Sequence, residues 1–139
     1  MDKALLRRFV DDADLRHQNF NGAILEGASC MYARFDGSSF VGTDLYWIMA
    51  IGSSFRDCDL TDAVLRGGNL KQTTFTGARL VQTDFSRDNL GGSTRLQGAD
   101  LSSAEIEDCR FDGAEYDFAT RFPEGFTPEK HGLSLQPQS

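Results

Sequence analysis

The sequence contains few of the residues from which metal centres and disulfide frameworks are built. Its 139 residues include two histidines, one tryptophan and three cysteines. Cys30, Cys58 and Cys109 are widely spaced, which fits neither a zinc site nor a set of disulfides. We therefore expect no metal, no cofactor, three buried and unreactive thiols, and a cytoplasmic location.

Long apolar runs and positive charge are also scarce. No run approaches the roughly 20 apolar residues of a transmembrane helix, and the charged first residues are unlike a secretory signal. Lys and Arg total 14 against 21 Asp and Glu, giving a net charge of −7. We expect no membrane contact and no direct nucleic-acid binding, because an acidic surface is repelled by phosphates.

The motifs of common catalytic sites are missing as well. The sequence has no P-loop, no Gly-x-Gly-x-x-Gly and no Gly-x-Ser-x-Gly. Paired carboxylates such as Asp57 and Asp59 are more typical of solvated turns than of a general acid and base. We therefore expect that the protein is not an enzyme.

The dominant positive feature is a five-residue period. Leu or Phe occupies fourteen of the sixteen positions at five-residue steps from Leu15 to Leu90. A small residue tends to stand two positions earlier, as Ala23 does before Leu25, and Gly often stands two positions later, as at Gly27. Residues five apart share no face of an α-helix and alternate between the faces of a strand. The chain must therefore bend after every short extended piece, and its turns should stack at about 4.8 Å.

The units Thr43-Asp44-Leu45, Gly68-Asn69-Leu70, Thr83-Asp84-Phe85 and Ala99-Asp100-Leu101 resemble the pentapeptide-repeat family, whose pattern is A(D/N)LXX. The resemblance covers residues 13–118. It implies an all-β solenoid, a right-handed quadrilateral β-helix of about five coils with four pentads in each coil.

After Leu90 the period slips by one residue, and we predict a one-residue bulge within Gly91-Gly92-Ser93-Thr94-Arg95. Asp88 stands in a small inward position nearby, and its carboxylate should accept backbone N–H groups of this bulge. Stacking at twenty residues then predicts the ladders Phe35, Phe55, Phe75, Leu96 and Tyr116; Leu25, Leu45, Leu65, Phe85 and Ile106; and Cys30, Ala50, Leu70, Leu90 and Phe111.

Both ends of such a coil need covers, because an open end exposes unpaired backbone. We predict an N-terminal capping helix at 1–12, the repeat domain at 13–118, and a C-terminal cap with a flexible tail at 119–139. Pro128 should start a helix that Gly132 limits to about one turn, and the chain from Leu135 onward should fray. Three aromatic residues should form the C-terminal lid: Phe118, Phe122 and Phe126.

The segment 46–51 departs from the repeat. Ile48 and Ala50 exchange the small and large inward positions, so their neighbours should point outward. An exposed patch of aromatic and methionine residues often marks a protein contact. The same composition would also be explained by aromatic rings that lie flat on the surface of their own coil, or by a homodimer contact. The predicted protein-binding residues are Met31, Tyr32, Tyr46, Trp47, Met49 and Ile51.

These observations favour a non-catalytic interaction module or scaffold that binds an unidentified protein, as a monomer or a homodimer. The family resemblance implies an alternative, a DNA-mimicking regulator or inhibitor of a type II topoisomerase such as gyrase. The expected column Arg16, Asp36 and Arg56 fits DNA mimicry less well, because it alternates in sign. A structural homo-oligomer is the second alternative.

Overall fold

The chain winds as a coil of stacked turns in the computed structural model, which describes residues 10–137. In the first turn, four residues each form a parallel bridge to the residue twenty positions later. These bridges are Asp14 to Arg34, Asn19 to Ser39, Ile24 to Asp44 and Ser29 to Met49. One bridge in each pentad gives every turn four sides. We number the sides by the first turn as face 1 (11–15), face 2 (16–20), face 3 (21–25) and face 4 (26–30).

The corners between faces are tight turns that require a left-handed residue. At one corner the Ala23 N–H donates to the Phe20 carbonyl at 3.0 Å, and Gly22 between them has a φ of 67°. A positive φ at the second central residue is the mark of a type II turn, which favours Gly. The recurrence of Gly two positions after each large residue follows from this geometry.

The interior consists of stacked large side chains, as the period predicts. Phe55 is fully buried, and its ring lies 5.1 Å from the Phe35 ring and 5.3 Å from the Phe75 ring, nearly parallel to both. Three small polar residues beside this ladder, Ser38, Thr43 and Ser53, donate their hydroxyls to carbonyls of the preceding turn. The Thr43 hydroxyl, for example, donates to the Phe20 carbonyl at 2.8 Å, so its burial leaves no donor unpaired.

The stacking register changes after Phe85, and the change is six residues rather than the predicted one. Asn69 pairs with Arg95 and Asp84 with Arg110, both at an offset of 26. If Leu90 filled the next large inward position, Asp88 would fill the small inward position two residues earlier. Burial of its carboxylate there without a partner would be costly. The chain instead leaves the coil, and Thr94 fills the inward position, fully buried.

The predicted ladders are therefore wrong beyond the register change. Leu90 is 86% exposed instead of lying in the core. The Phe85 ring stacks on Phe111 at 5.0 Å, not on Ile106. The pairing of Thr74 with Asp100 aligns Phe75 with Leu101 instead of Leu96, and aligns Leu70 with Leu96.

Regular strands are short because each face is only a few residues long. β1 (Arg79–Val81) pairs in parallel with β2 (Glu105–Glu107). β3 (Glu115–Tyr116) pairs in parallel with β4 (Ser134–Leu135). A 3-10 helix spans Pro128–His131. Within residues 10–137, no helix has the length and apolar character needed to cross a bilayer.

The two ends differ from the prediction in extent. Residues 1–9, where most of the predicted capping helix falls, lie outside the described part of the chain. Val10 already joins the coil pairing, with its N–H donating to the Ser29 carbonyl at 2.8 Å. At the other end, Gln136 donates to the Tyr116 carbonyl at 2.8 Å. The predicted fraying is therefore wrong at Leu135 and Gln136, whose backbone is paired.

The C-terminal cover is built from Phe126 and the 3-10 helix. The Phe126 ring stacks on His131 at 4.3 Å and meets the Phe111 ring edge-on at 5.5 Å. The predicted one-turn helix is confirmed, and Gly132 ends it with a φ of 81°. Phe118 is 78% exposed. It lies in a turn, so its predicted place in the lid is wrong.

The cysteines are less uniform than predicted. Cys30 and Cys58 are buried, and desolvation raises the pKa of each thiol to about 12. Cys109 is only half-buried, because nothing in the described part of the chain pairs beyond Arg110 on that face. Its thiol donates to the Leu80 carbonyl at 2.9 Å, and desolvation also raises its pKa.

Candidate protein-interaction surface

The structure places all six predicted contact residues on face 4 and the corners that bound it. Ile48 points inward and is buried, as the exchanged pattern predicts. Trp47, Met49 and Tyr32 are exposed, whereas the remaining three are half-buried. The half-buried residues are Met31, Tyr46 and Ile51.

Two of the aromatic rings lie against glycines of the following turn. Trp47 and Tyr32 occupy left-handed corner positions, with φ of 60° and 58°, a conformation that costs a bulky residue about 1–2 kcal/mol. A Cβ on Gly67 would lie 2.7 Å from Trp47 Cδ1, and a Cβ on Gly52 would lie 2.5 Å from the Tyr32 ring. Each ring therefore rests on a surface that only glycine leaves open.

The six extra residues form a protruding loop, residues 88–93, which we call the insertion loop. Asp88 holds it closed, because its Oδ1 accepts the N–H groups of Leu90 at 2.8 Å and Gly92 at 2.6 Å. The Asp88 N–H also donates to the Gly92 carbonyl at 2.9 Å. The predicted role of the Asp88 carboxylate is confirmed, although the loop is larger than the predicted bulge.

Side chains of face 4 clamp this loop to the wall. The Trp47 indole N–H donates to Asp88 Oδ2 at 2.8 Å, and the Tyr46 hydroxyl accepts the Asn89 N–H at 2.5 Å. Below them, Arg66 Nε donates to the Arg87 carbonyl at 2.8 Å. Tyr46 and Trp47 are thus partly engaged within the molecule, and their contacts orient the loop.

The insertion loop presents a side chain that sequence reasoning had placed in the core. Leu90 lies at its tip and is 86% exposed. The clamp residue Arg66 was also missed, because nothing in a regular repeat marks one outward arginine. Two signals pointed to the loop without giving its size: the adjacent glycines Gly91 and Gly92, and a carboxylate at a small inward position.

The Trp47–Asp88 contact also favours the ionised form of Asp88. The indole N–H, followed by the Gly92 N–H, lowers the pKa of Asp88, and the Leu90 N–H and the charge of Arg66 act in the same direction. A lowered pKa in the folded state means that ionised Asp88 stabilises the loop above its unfolded pKa. This contribution is lost as the pH falls through the folded pKa.

We therefore predict an acid transition in Trp47 fluorescence. Trp47 is the single tryptophan, and its emission should shift to the red below about pH 4, as protonated Asp88 releases the indole to water. Asp88→Asn should remove this transition. Asp14→Asn is the matched control, because Asp14 has a pKa lowered to about 2 by Arg16 and lies on face 1. An unchanged transition in Asp88→Asn would contradict the assignment.

A family model for pentapeptide repeats matches residues 11–46 and 53–92 with eight copies. The chain belongs to the pentapeptide-repeat family. Its members fold as right-handed quadrilateral β-helices, in agreement with the four-sided coil described above. A comparison with curated proteins gives no significant match.

Several solved pentapeptide-repeat structures are similar in fold. A protein of the Arabidopsis thaliana thylakoid lumen is 19% identical, with 83% of this chain and 70% of that chain covered and a TM-score of 0.51. A Nostoc protein is 25% identical, with coverage of 96% and 88% and a TM-score of 0.39. QnrB1, a plasmid-mediated fluoroquinolone resistance protein, is 15% identical, with coverage of 93% and 84% and a TM-score of 0.41.

Proposed function

We propose that this pentapeptide-repeat protein is a non-catalytic interaction module that binds a partner protein through the insertion loop and face 4. The observation that carries the proposal is the rigid presentation of Leu90. This side chain is 86% exposed on a loop held by Asp88, Tyr46 and Trp47. An apolar anchor that is already ordered loses little conformational entropy when a partner covers it.

The composition of the surrounding wall supports the same role. Trp47 and Met49 are exposed beside the loop, and aromatic and methionine side chains are enriched in protein interfaces. The family match skips residues 47–52 and ends at residue 92. The wall segment is therefore one place where this chain departs from a plain repeat, and the change of bridge offset from 20 to 26 residues marks the loop as another.

A matched pair of surface substitutions tests the proposal. Leu90→Ser and Phe118→Ser each remove one exposed apolar side chain, from the loop and from the C-terminal turn. The protein that the wild type captures from the source cells should first be identified and purified. Its binding to the wild type and to each variant is then measured. Leu90→Ser should weaken that binding at least tenfold, by about 1.4 kcal/mol or more, whereas Phe118→Ser should leave it unchanged. Equal binding by all three proteins would exclude the loop.

Deletion of residues 88–93 should separate binding from folding. The shortened chain would read Ser86-Arg87-Thr94-Arg95-Leu96, which places Leu96 five residues after Phe85 and restores the repeat. Thr94 and Leu96 already occupy inward positions, so we expect a thermal midpoint within a few degrees of the wild type and loss of partner binding. A deletion variant that fails to fold would show that the loop is structural.

The DNA-mimicking alternative predicts a type II topoisomerase among the captured proteins. The charge layout favours it less, because carboxylates on the faces alternate with arginines. Asp14, for example, pairs with Arg16 at 2.8 Å and with Arg34 at 3.6 Å. For the homo-oligomer alternative, light scattering should show a mass that Leu90→Ser reduces.

A further inference from the structure

A cleft lies on face 3, directly beside the clamped loop. It encloses about 450 Å³ and is bounded by Tyr46, Trp47 and Asn89 on the loop side. Its other walls include Val64 and the carboxylates of Glu26 and Asp44. A smaller depression of about 290 Å³ continues past Trp47 and Glu26 to Ile24, which is 55% exposed. The two spaces share the Trp47 ring and the Glu26 side chain as a common boundary.

Glu26 and Asp44 give this cleft two carboxylates against the single cation of Arg66. Among residues 10–137, no ion pair within 4.0 Å involves Glu26 or Asp44. One oxygen of Asp44 accepts the Tyr46 N–H at 3.0 Å. Arg66 also borders the cleft, but it lies 4.0 Å from Asp84 and donates to the Arg87 carbonyl. Its guanidinium carbon lies 5.9 Å from the centre of the Tyr46 ring, on the loop side of the cleft.

The aromatic wall of the cleft is held in one orientation. The Trp47 indole N–H is bound to Asp88, and the ring rests on Gly67. The ring is nevertheless 39% exposed. A cation near the face of a tryptophan is attracted by the ring quadrupole. A fixed, partly exposed indole beside two carboxylates is thus suited to a positively charged group.

We propose that this cleft binds a lysine or arginine side chain of the partner protein. The cationic group lies between Glu26, Asp44 and the Trp47 ring. The aliphatic part of the side chain packs on Val64, as the stems of long basic residues do on apolar surface. An acidic or phosphorylated segment is repelled by the same carboxylates. The inference rests on the proposed function and specifies the partner's chemistry.

Trp47 makes the site directly observable, because it is the only tryptophan in the chain. The probes are four peptides, acetyl-Leu-X-Leu-amide with X as Arg, Lys, Gln or Glu, titrated to about 10 mM while Trp47 emission is recorded. A saturable change with the Arg or Lys peptide, at least fivefold tighter than with the Gln peptide, supports the proposal. No saturable change with either basic peptide, or equal affinity for the Gln peptide, overturns it.

Charge-neutralising variants locate the binding. Glu26→Gln and Asp44→Asn should each weaken the basic peptide about fivefold, the effect of one charge at about 4 Å in water. Asp57→Asn is the matched control, because it makes the same charge change at the corner between faces 1 and 2, and it should bind as the wild type does. Equal weakening in Asp57→Asn would show that the effect comes from the net charge of the protein, and would overturn the assignment of the cleft.

The experiment keeps this inference separate from the proposed function. Leu90→Ser should lose the partner protein but retain the response to the basic peptide, because Leu90 does not border the cleft. If the peptides fail while Leu90→Ser still loses the partner, the cleft assignment is wrong and the interaction module stands. If the peptides bind and the loop variants keep the partner, the loop is wrong and the cleft stands.

Discussion

Phe55→Ala should lower the free energy of unfolding by about 3–5 kcal/mol, the usual loss for a fully buried phenylalanine. Phe55 has no exposed surface, and its ring stacks between Phe35 and Phe75. Removing the ring leaves a cavity in the middle of the ladder, and the neighbouring turns are held by backbone pairing and cannot collapse into it. Urea unfolding followed by Trp47 fluorescence and circular dichroism measures the loss.

Phe118→Ala is the matched control for this substitution. It removes the same side chain from a position that is 78% exposed, so the free energy of unfolding should change by less than about 0.5 kcal/mol. A small domain has only about 5–15 kcal/mol of stability, which makes the expected contrast large. Equal effects at the two positions would mean that the aromatic ladder does not stabilise the coil.

The second large effect is expected for Gly67→Ala. Gly67 has a φ of 69°, and a Cβ there would lie 2.7 Å from Trp47 Cδ1 and 2.8 Å from Asp88 Cβ. The left-handed conformation alone costs an alanine about 1–2 kcal/mol. The overlap adds to this cost, because the indole and the loop must move. We expect a total loss of about 2–4 kcal/mol and a red shift of Trp47 emission.

Gly42→Ala isolates the backbone part of this effect. Gly42 has a φ of 64°, and a Cβ there would meet no atom within 4 Å. It should lose only the 1–2 kcal/mol of the left-handed conformation and keep the wild-type emission maximum. If Gly42→Ala and Gly67→Ala lose equal stability with the same emission, the Trp47 ring does not rest on Gly67.

Much of the coil could be predicted because its determinants are local and repeated. A single pentad such as Thr43-Asp44-Leu45 is weak evidence for a fold. Many pentads in tandem exclude a helix and a flat strand, and predict a chain that bends every five residues. The inward positions of Phe35, Phe55 and Phe75 follow from that count. The one-turn helix at Pro128 was also predictable, because Pro and Gly act on the backbone dihedrals of their own positions.

The candidate site was predictable only in part. The outward segment around Trp47 was recognised because it breaks the repeat. Its contacts with the insertion loop join residues 41 and 43 positions apart, a separation that no periodicity encodes. The loop itself was misjudged because Leu90 has the residue type and spacing of a core position.

The amino-acid sequence alone determined that the chain bends every five residues with Leu and Phe inside, since that information recurs in nearly every pentad, whereas the four sides came from the family resemblance. The tertiary structure decided how long the interruption after Phe85 is and which residues resume the ladders. The physical reason is that the chain could continue the five-residue repeat after Phe85 in two alternative registers. Leu90 or Leu96 could each fill the next large position, and the outcome depends on the buried environment, which accepts Thr94 and rejects the carboxylate of Asp88.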